Sequence, residues 1–311
     1  MRMAEEPDAS GSAEAARAAE AGQATDGPSA VAGEGRALTV GVTMLAYTVG
    51  VISVLVGALL AVAGLTGQVF SAWKSAGPLS PALVGAAMVG VAPGLFSVGR
   101  ARVWEEVRTL VLPLAVVLVG LFAVSLLNAG RLQAAAGGPV VLVLFSLGWV
   151  AVLGGLAVCA LAALVRQYLK PARPPAARRA PLPGWSKPFL AVLGSAWFGI
   201  GTGLLVSPRF WADFVPWAVN RPDAQALGVW GTALGVGVLG ALAEDDLTRT
   251  RPALLALPGI ALAVAVVLAV RAGEVDWSSG PAPSLVTMVA GLLVAGTIGH
   301  RLLGRGPAPR P

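Results

Sequence analysis

The side chains that most often do chemistry are scarce here. A chain of 311 residues has one histidine, His300, and one cysteine, Cys159. Zinc sites gather three or four ligands and a bis-histidine haem needs two imidazoles, so neither centre is expected. A serine–histidine pair would need His300 to meet a serine at its own depth, and no nucleophile-elbow motif points to one. His300 stands instead at the end of the last apolar segment, where a cation suits a helix C-terminus. Gly235-x-Gly237-x-x-Gly240 has the spacing of a dinucleotide fingerprint, but that motif works in a turn between strand and helix, and here it lies within an apolar run. No catalytic residue, cofactor or metal is therefore expected. With a single cysteine no intramolecular disulfide can form.

Carboxylates are placed as tellingly as they are few. None occurs between Glu34 and Glu105 or between Glu106 and Asp213, and Asp213, Asp223, Glu244, Asp245, Asp246, Glu274 and Asp276 fall outside the apolar runs. Ionisable groups inside a membrane usually mark an ion or proton path, so their absence disfavours cation-coupled transport. Charge is concentrated in two clusters, one from Arg100 to Arg108 and one from Glu244 to Arg251. Residues Glu105, Glu106, Arg108, Asp245, Asp246 and Arg251 are candidates for salt bridges across the molecule or for a surface that docks a partner. Surface ion pairs contribute only ~0–1 kcal/mol each, so a purely stabilising role would be modest.

The elements that carry these residues are apolar helices. Hydrophobic residues make up 56% and charged residues 12% of the chain, and mean hydropathy is +0.77; soluble domains carry roughly 25% charged residues. Eight segments, 38–64, 81–98, 109–127, 139–165, 189–206, 224–243, 252–270 and 284–302, are near the ~20 residues needed to cross a bilayer. Helices satisfy their own backbone where water is absent, and period-two alternation is missing. The expected fold is all-α, a polytopic transmembrane helical bundle of eight helices. The second and fifth segments are the shortest, and a tilted or re-entrant path stays open there. Seventeen of the 22 Lys and Arg residues lie in the tails and even-numbered loops, which predicts a multi-pass membrane protein with both termini cytoplasmic.

Residues 1–37 have seven acidic and three basic residues and no apolar run, and read as a disordered cytoplasmic tail. Their acidic start is unlike a secretory signal. The connection 166–188 has six basic and no acidic residues. Beside apolar spans it suits anionic lipid, and its prolines make it semi-rigid. It lacks the interleaved aromatics of a nucleic-acid platform. Residues 305–311 form a C-terminal tail.

A shift of 143 residues places Gly85 on Gly228, Gly94 on Gly237 and Arg108 on Arg251, and a shift of 142 places Gly138-Pro139 on Gly280-Pro281. Two four-helix units, 38–165 and 189–304, are inferred. Four spans per unit make the repeat parallel, with a pseudo-twofold axis along the membrane normal. Gly85, Gly94, Gly228 and Gly237, with Gly-x-x-x-Gly pairs at 90/94, 199/203 and 231/235, are read as close helix contacts. Phe210, Trp211, Phe214 and Trp217 recur at helical spacing and suggest an interfacial aromatic helix, either an anchor or a lid over a lateral pocket.

In the second unit Pro216-Trp217, Gly228, Gly237, Asp245-Asp246, Arg251-Pro252 and Asp276-Trp277 follow one another in an order that resembles the repeating unit of uncharacterised bacterial integral membrane proteins of actinobacterial type. More distantly, a four-helix unit of this size is similar to the DoxX-like membrane proteins. The first unit lacks the Pro-Trp, Arg-Pro and Asp-Trp pairs, and neither resemblance implies a catalytic site. The expected function is that of a non-enzymatic integral membrane protein that packs with lipid, a protein partner or a second copy as a homo-oligomer, or holds an apolar molecule between its units. The alternative is a carrier for a neutral or lipid-like solute, whose cavity would use Tyr47, Thr48, Ser53, Ser195, Thr202 and Thr232. An intramembrane enzyme is the third reading.

Overall fold

A computed structural model describes residues 35–171, 178 and 180–304. Among them are nine α-helices and no strand: α1 (Val40–Leu65), α2 (Leu79–Ser97), α3 (Arg108–Leu127), α4 (Val140–Leu169), α5 (Ser186–Val206), the single turn α6 (Pro208–Trp211), α7 (Arg221–Glu244), α8 (Arg251–Val270) and α9 (Pro281–Gly304). All but α6 are long and apolar enough to cross a membrane, so the chain is an integral membrane protein by its construction. The eight apolar runs read from hydropathy coincide with these helices to within a few residues. The two shortest runs extend at their N-terminal ends to give α2 and α5. Three helices carry a proline beyond their first turn, at Pro93, Pro113 and Pro258, and Gly296 of α9 makes room for the ring of Pro258.

Four helices form the centre. Around it run α2, α8, α3 and α7, each packed on the next, so that α2 stands diagonally from α3 and α7 from α8. The outer helices α1, α4, α5 and α9 lie on α2, α3, α7 and α8 respectively, and α4 meets α1 as α9 meets α5. Each of these pairings thus has a counterpart when α1–α4 are exchanged for α5, α7, α8 and α9. Burial follows position: 72% of the apolar window of α2 is inside the protein against 28% for α4 and for α5. The short, glycine-rich second run is therefore the most enclosed helix. Small side chains there let neighbours approach on all sides.

The bundle has two ends. One, here the basic end, holds the start of α1, the α2–α3 connection, the α4–α5 connection and the α7–α8 connection. At this end Gly35–Ala37 are held against the protein: Glu105 accepts from Arg36 N at 3.1 Å, Trp104 N donates to Arg36 O at 2.8 Å, and Gln167 Nε2 donates to Ala37 O at 3.0 Å. The remainder of the predicted tail, 1–34, and the final residues 305–311 lie outside the described residues.

Candidate functional site

At the end opposite the basic one, the two halves exchange tryptophans. Trp73, in the α1–α2 connection, donates its indole N–H to Asp223 at the start of α7, at 2.8 Å. Ser75 Oγ and Ala76 N donate to the same carboxylate at 2.7 and 2.9 Å. In the other direction Trp217, before α7, donates to Ser80 Oγ at the start of α2, at 2.9 Å. Trp73 corresponds to Trp217 and Ser80 to Asp223 at shifts of 144 and 143, so one contact is the counterpart of the other. Asp223 is only 1% exposed; a buried carboxylate is tolerable because three donors converge on it. Close by, Asn128, just past the end of α3, donates to Gln225 of α7 at 2.7 Å. Sequence reading left Asp223 among the loop carboxylates and took Trp73, with Phe70, only as a poorer first-unit version of the aromatic stretch. The 143-residue shift, extended to these positions, was the signal that could have found them.

The charged clusters lie at the basic end and largely turn inward. Arg108 forms an ion pair with Glu244 of the other half, and Arg249 approaches Glu244 and Asp246 at 3.7 Å. Asp245 ends α7 in the left-handed region, at φ 49°, and accepts from Lys187 at 2.9 Å and Arg178 at 3.3 Å. The Lys187 hydrogen bond, with the positive charges of Lys187 and Arg178, holds the Asp245 carboxyl below the ordinary aspartate range. Asp246 caps the turn before α8, accepting from Thr248 N and Oγ1 at 2.9 and 2.8 Å. Glu105 and Glu106 accept from the backbone of Arg36 and Arg102. Arg251, the counterpart of Arg108, is exposed. Two of the basic linker residues thus face a carboxylate; residues 172–177 and 179 lie outside the described set.

Most of the glycines read as close contacts sit at tight helix crossings, but the pair 199/203 does not: Gly199 faces open space and Gly203 meets only the ring of Trp211. A Cβ on Gly85 of α2 would stand 2.6 Å from Gly57 O of α1, and one on Gly228 of α7 would stand 2.7 Å from Gly201 O of α5. Gly94 likewise faces Pro252 O of α8 at 2.6 Å, while its counterpart Gly237 faces Pro113 Cγ of α3 at 3.2 Å. The aromatic segment is one helical turn followed by a 3-10 turn, Ala212–Phe214. Phe210, Trp211 and Phe214 pack together with ring centroids 5.1 to 5.9 Å apart, and Trp211 covers Gly203. Trp217 leaves that cluster to reach Ser80.

Among the described residues, three large cavities with almost no polar wall lie between the helices. The largest, 320 Å³, occupies the basic-end half of the second unit, between α3, α5, α7, α8 and α9, and Leu182, Pro183 and Trp185 of the linker close over it. Its lining includes exposed Trp185, Phe189 and Val294, so it opens at the perimeter of the bundle. A second, of 210 Å³, lies in the opposite half of the same unit beneath Phe214 and Trp217. A third, of 250 Å³, lies in the first unit between α1, α2, α3 and α4. Trp230 of α7 lines all three. The few hydroxyls of the largest are already engaged: Thr109 with Arg249 O, Ser186 with Pro183 O and Thr250 with Leu247 O. Of the six hydroxyl residues proposed for a polar carrier cavity, Ser53 alone lines any of the three, while Tyr47, Thr48 and Ser195 are exposed. Cys159 and His300 are exposed as well. Among the described residues no three His, Cys, Asp or Glu side chains come together as a metal site would require. No family model, curated protein or solved structure matches the chain.

Proposed function

We propose that this protein is a non-enzymatic component of a bacterial cytoplasmic membrane that holds an apolar, lipid-like molecule between its helices. The observation that carries the reading is the 320 Å³ cavity with its hydrocarbon wall. A cavity needs only about 15 Å³ to admit a water, but water needs two to four polar partners, and apolar voids stay dry. Because the cavity opens at the perimeter of the bundle, an acyl or isoprenoid chain can enter it from the surrounding lipid and cover its apolar wall. The matched helix pairings support two parallel four-helix units. The concentration of Lys and Arg at one end supports cytoplasmic termini.

Native mass spectrometry of the full chain, extracted in its own lipids, tests the reading. A reproducible apolar adduct is expected in the natural protein. It is expected to be lost in Ala241→Phe, which places a ring in the cavity, while helix content is retained. A ligand-free chain that brings a second polypeptide would replace this reading with an accessory role.

A further inference from the structure

The mouth of the 320 Å³ cavity carries charge that its wall lacks. Where α9 borders the opening its exposed residue is Val294. Arg301 stands seven residues on, over the same edge of the helix, two turns and about 10 Å nearer the basic end. Arg251 opens α8 three residues before Leu254, against which Gly299 of α9 packs, so the two arginines occupy neighbouring ends of one helix pair. Both are exposed, and neither has an ion-pair partner among the described residues. Trp185, exposed beside the opening, suits headgroup depth, since tryptophan collects at the membrane interface. The acids of this end turn away: Glu244 and Asp246 are almost wholly buried, and Asp245 lies between Lys187 and Arg178. The charge presented at the mouth is therefore positive. The first unit lacks the arrangement. Arg251 corresponds to Arg108, which is engaged by Glu244, and Arg301 falls on Ala157, Val158 or Cys159 at shifts of 144, 143 or 142. Leu247, which borders the cavity, corresponds to the larger, buried Trp104 at a shift of 143.

Resting on the proposed uptake of a lipid-like molecule, we infer that the occupant of this cavity is an anionic phospholipid of the leaflet at the basic end, with one acyl chain inside and its phosphate held by Arg301 and Arg251. No Lys, Arg, Asp or Glu lines the wall, so a charged group cannot follow the chain inward and stays at the mouth. There a guanidinium can meet a phosphate through two parallel N–H donors. A zwitterionic headgroup offers the same phosphate but adds an ammonium, for which the inward-turned carboxylates leave no partner. The site thus favours a headgroup of net negative charge.

The test titrates purified, delipidated full-length protein with dioleoyl phosphatidylglycerol or dioleoyl phosphatidylcholine, which share their chains and differ in headgroup charge, and counts bound lipid by native mass spectrometry. Phosphatidylglycerol is expected to bind about 5- to 30-fold more tightly, the attraction of one or two basic residues for an anionic headgroup. The double substitution Arg251→Gln/Arg301→Gln is expected to reduce that preference to within about 2-fold. Arg166→Gln/Lys170→Gln removes two exposed charges of the same end from α4, which does not border the cavity, and is expected to keep the preference. An equal loss in this control would overturn the inference in favour of general attraction to the basic surface. Ala241→Phe is expected to weaken both lipids alike; unchanged phosphatidylglycerol binding there would place the lipid outside the cavity and overturn the inference as well. Equal binding of the two lipids to the natural protein would overturn the headgroup assignment alone and leave apolar binding standing. Failure of both to saturate would overturn the apolar reading itself.

Discussion

Arg108 and Arg251 occupy corresponding positions and have opposite roles. Arg108 neutralises Glu244, whose side chain is 5% exposed, whereas Arg251 reaches into solvent. Removing one partner of a fully buried pair costs about 3–5 kcal/mol; Arg108 is itself 39% exposed and Arg249 remains near Glu244. Arg108→Ala is therefore expected to lower stability by about 1–2 kcal/mol, and Arg251→Ala by less than about 0.5 kcal/mol, measured by thermal unfolding in one detergent. Equal losses would mean that the asymmetry between the halves has no energetic content. Both arginines were visible as a repeated pair in the sequence, but their different fates were not. A one-dimensional repeat identifies equivalent positions, and the acid that distinguishes them, Glu244, corresponds to Ala101 in the other half. Asp223 escaped for a related reason. An acid at the first turn of an apolar helix looks like the end of a loop until its donors are known to come from a connection 150 residues away.

Among the elements, the crossings of α1 with α2 and of α5 with α7 depend on backbone meeting backbone. In lipid there is no hydrophobic gain from bringing helices together, and close van der Waals packing takes its place. Gly85→Ala would push a methyl group against Gly57 O and Ala61 N and is expected to destabilise the fold by about 1–3 kcal/mol. Gly148→Ala in α4 meets nothing within 4 Å and is expected to be neutral or stabilising by up to ~1 kcal/mol, because alanine is the better helix former. Comparing the two melting temperatures checks the contrast; a neutral Gly85→Ala would show that the crossing can relax. The number and extent of the helices were legible from hydropathy because span length is set by bilayer thickness. The aromatic segment was less so. Helical spacing over 210–217 suggested a continuous surface helix, yet the chain has only one α-turn there before Pro216, which lacks the N–H a helix needs, and Trp217 turns to Ser80 instead.

Taken whole, the molecule does not divide where its sequence repeats. Each half sends its second and third spans to opposite corners of the central bundle, and the helices between them come from the other half. Hydropathy records which residues sit in lipid and says nothing of which helices are neighbours, so this interlocking was not legible from the sequence. It predicts that units 38–165 and 189–304, made as separate chains in one cell, co-purify, while either made alone is degraded; recovery of one stable half by itself would contradict the packing. The same geometry bears on ancestry. Four spans return a chain to the side from which it entered, so two identical copies insert in the same direction and are related by an axis along the membrane normal. A single four-helix chain, half this length, could close the same central bundle as a homodimer with equivalent glycines at each crossing. Joining two such copies through one connection would free each to diverge: Ser80 against Asp223, Ala87 against Trp230, Ala101 against Glu244. Those differences are the ones that a symmetric ancestor, obliged to change both sides at once, could not have made.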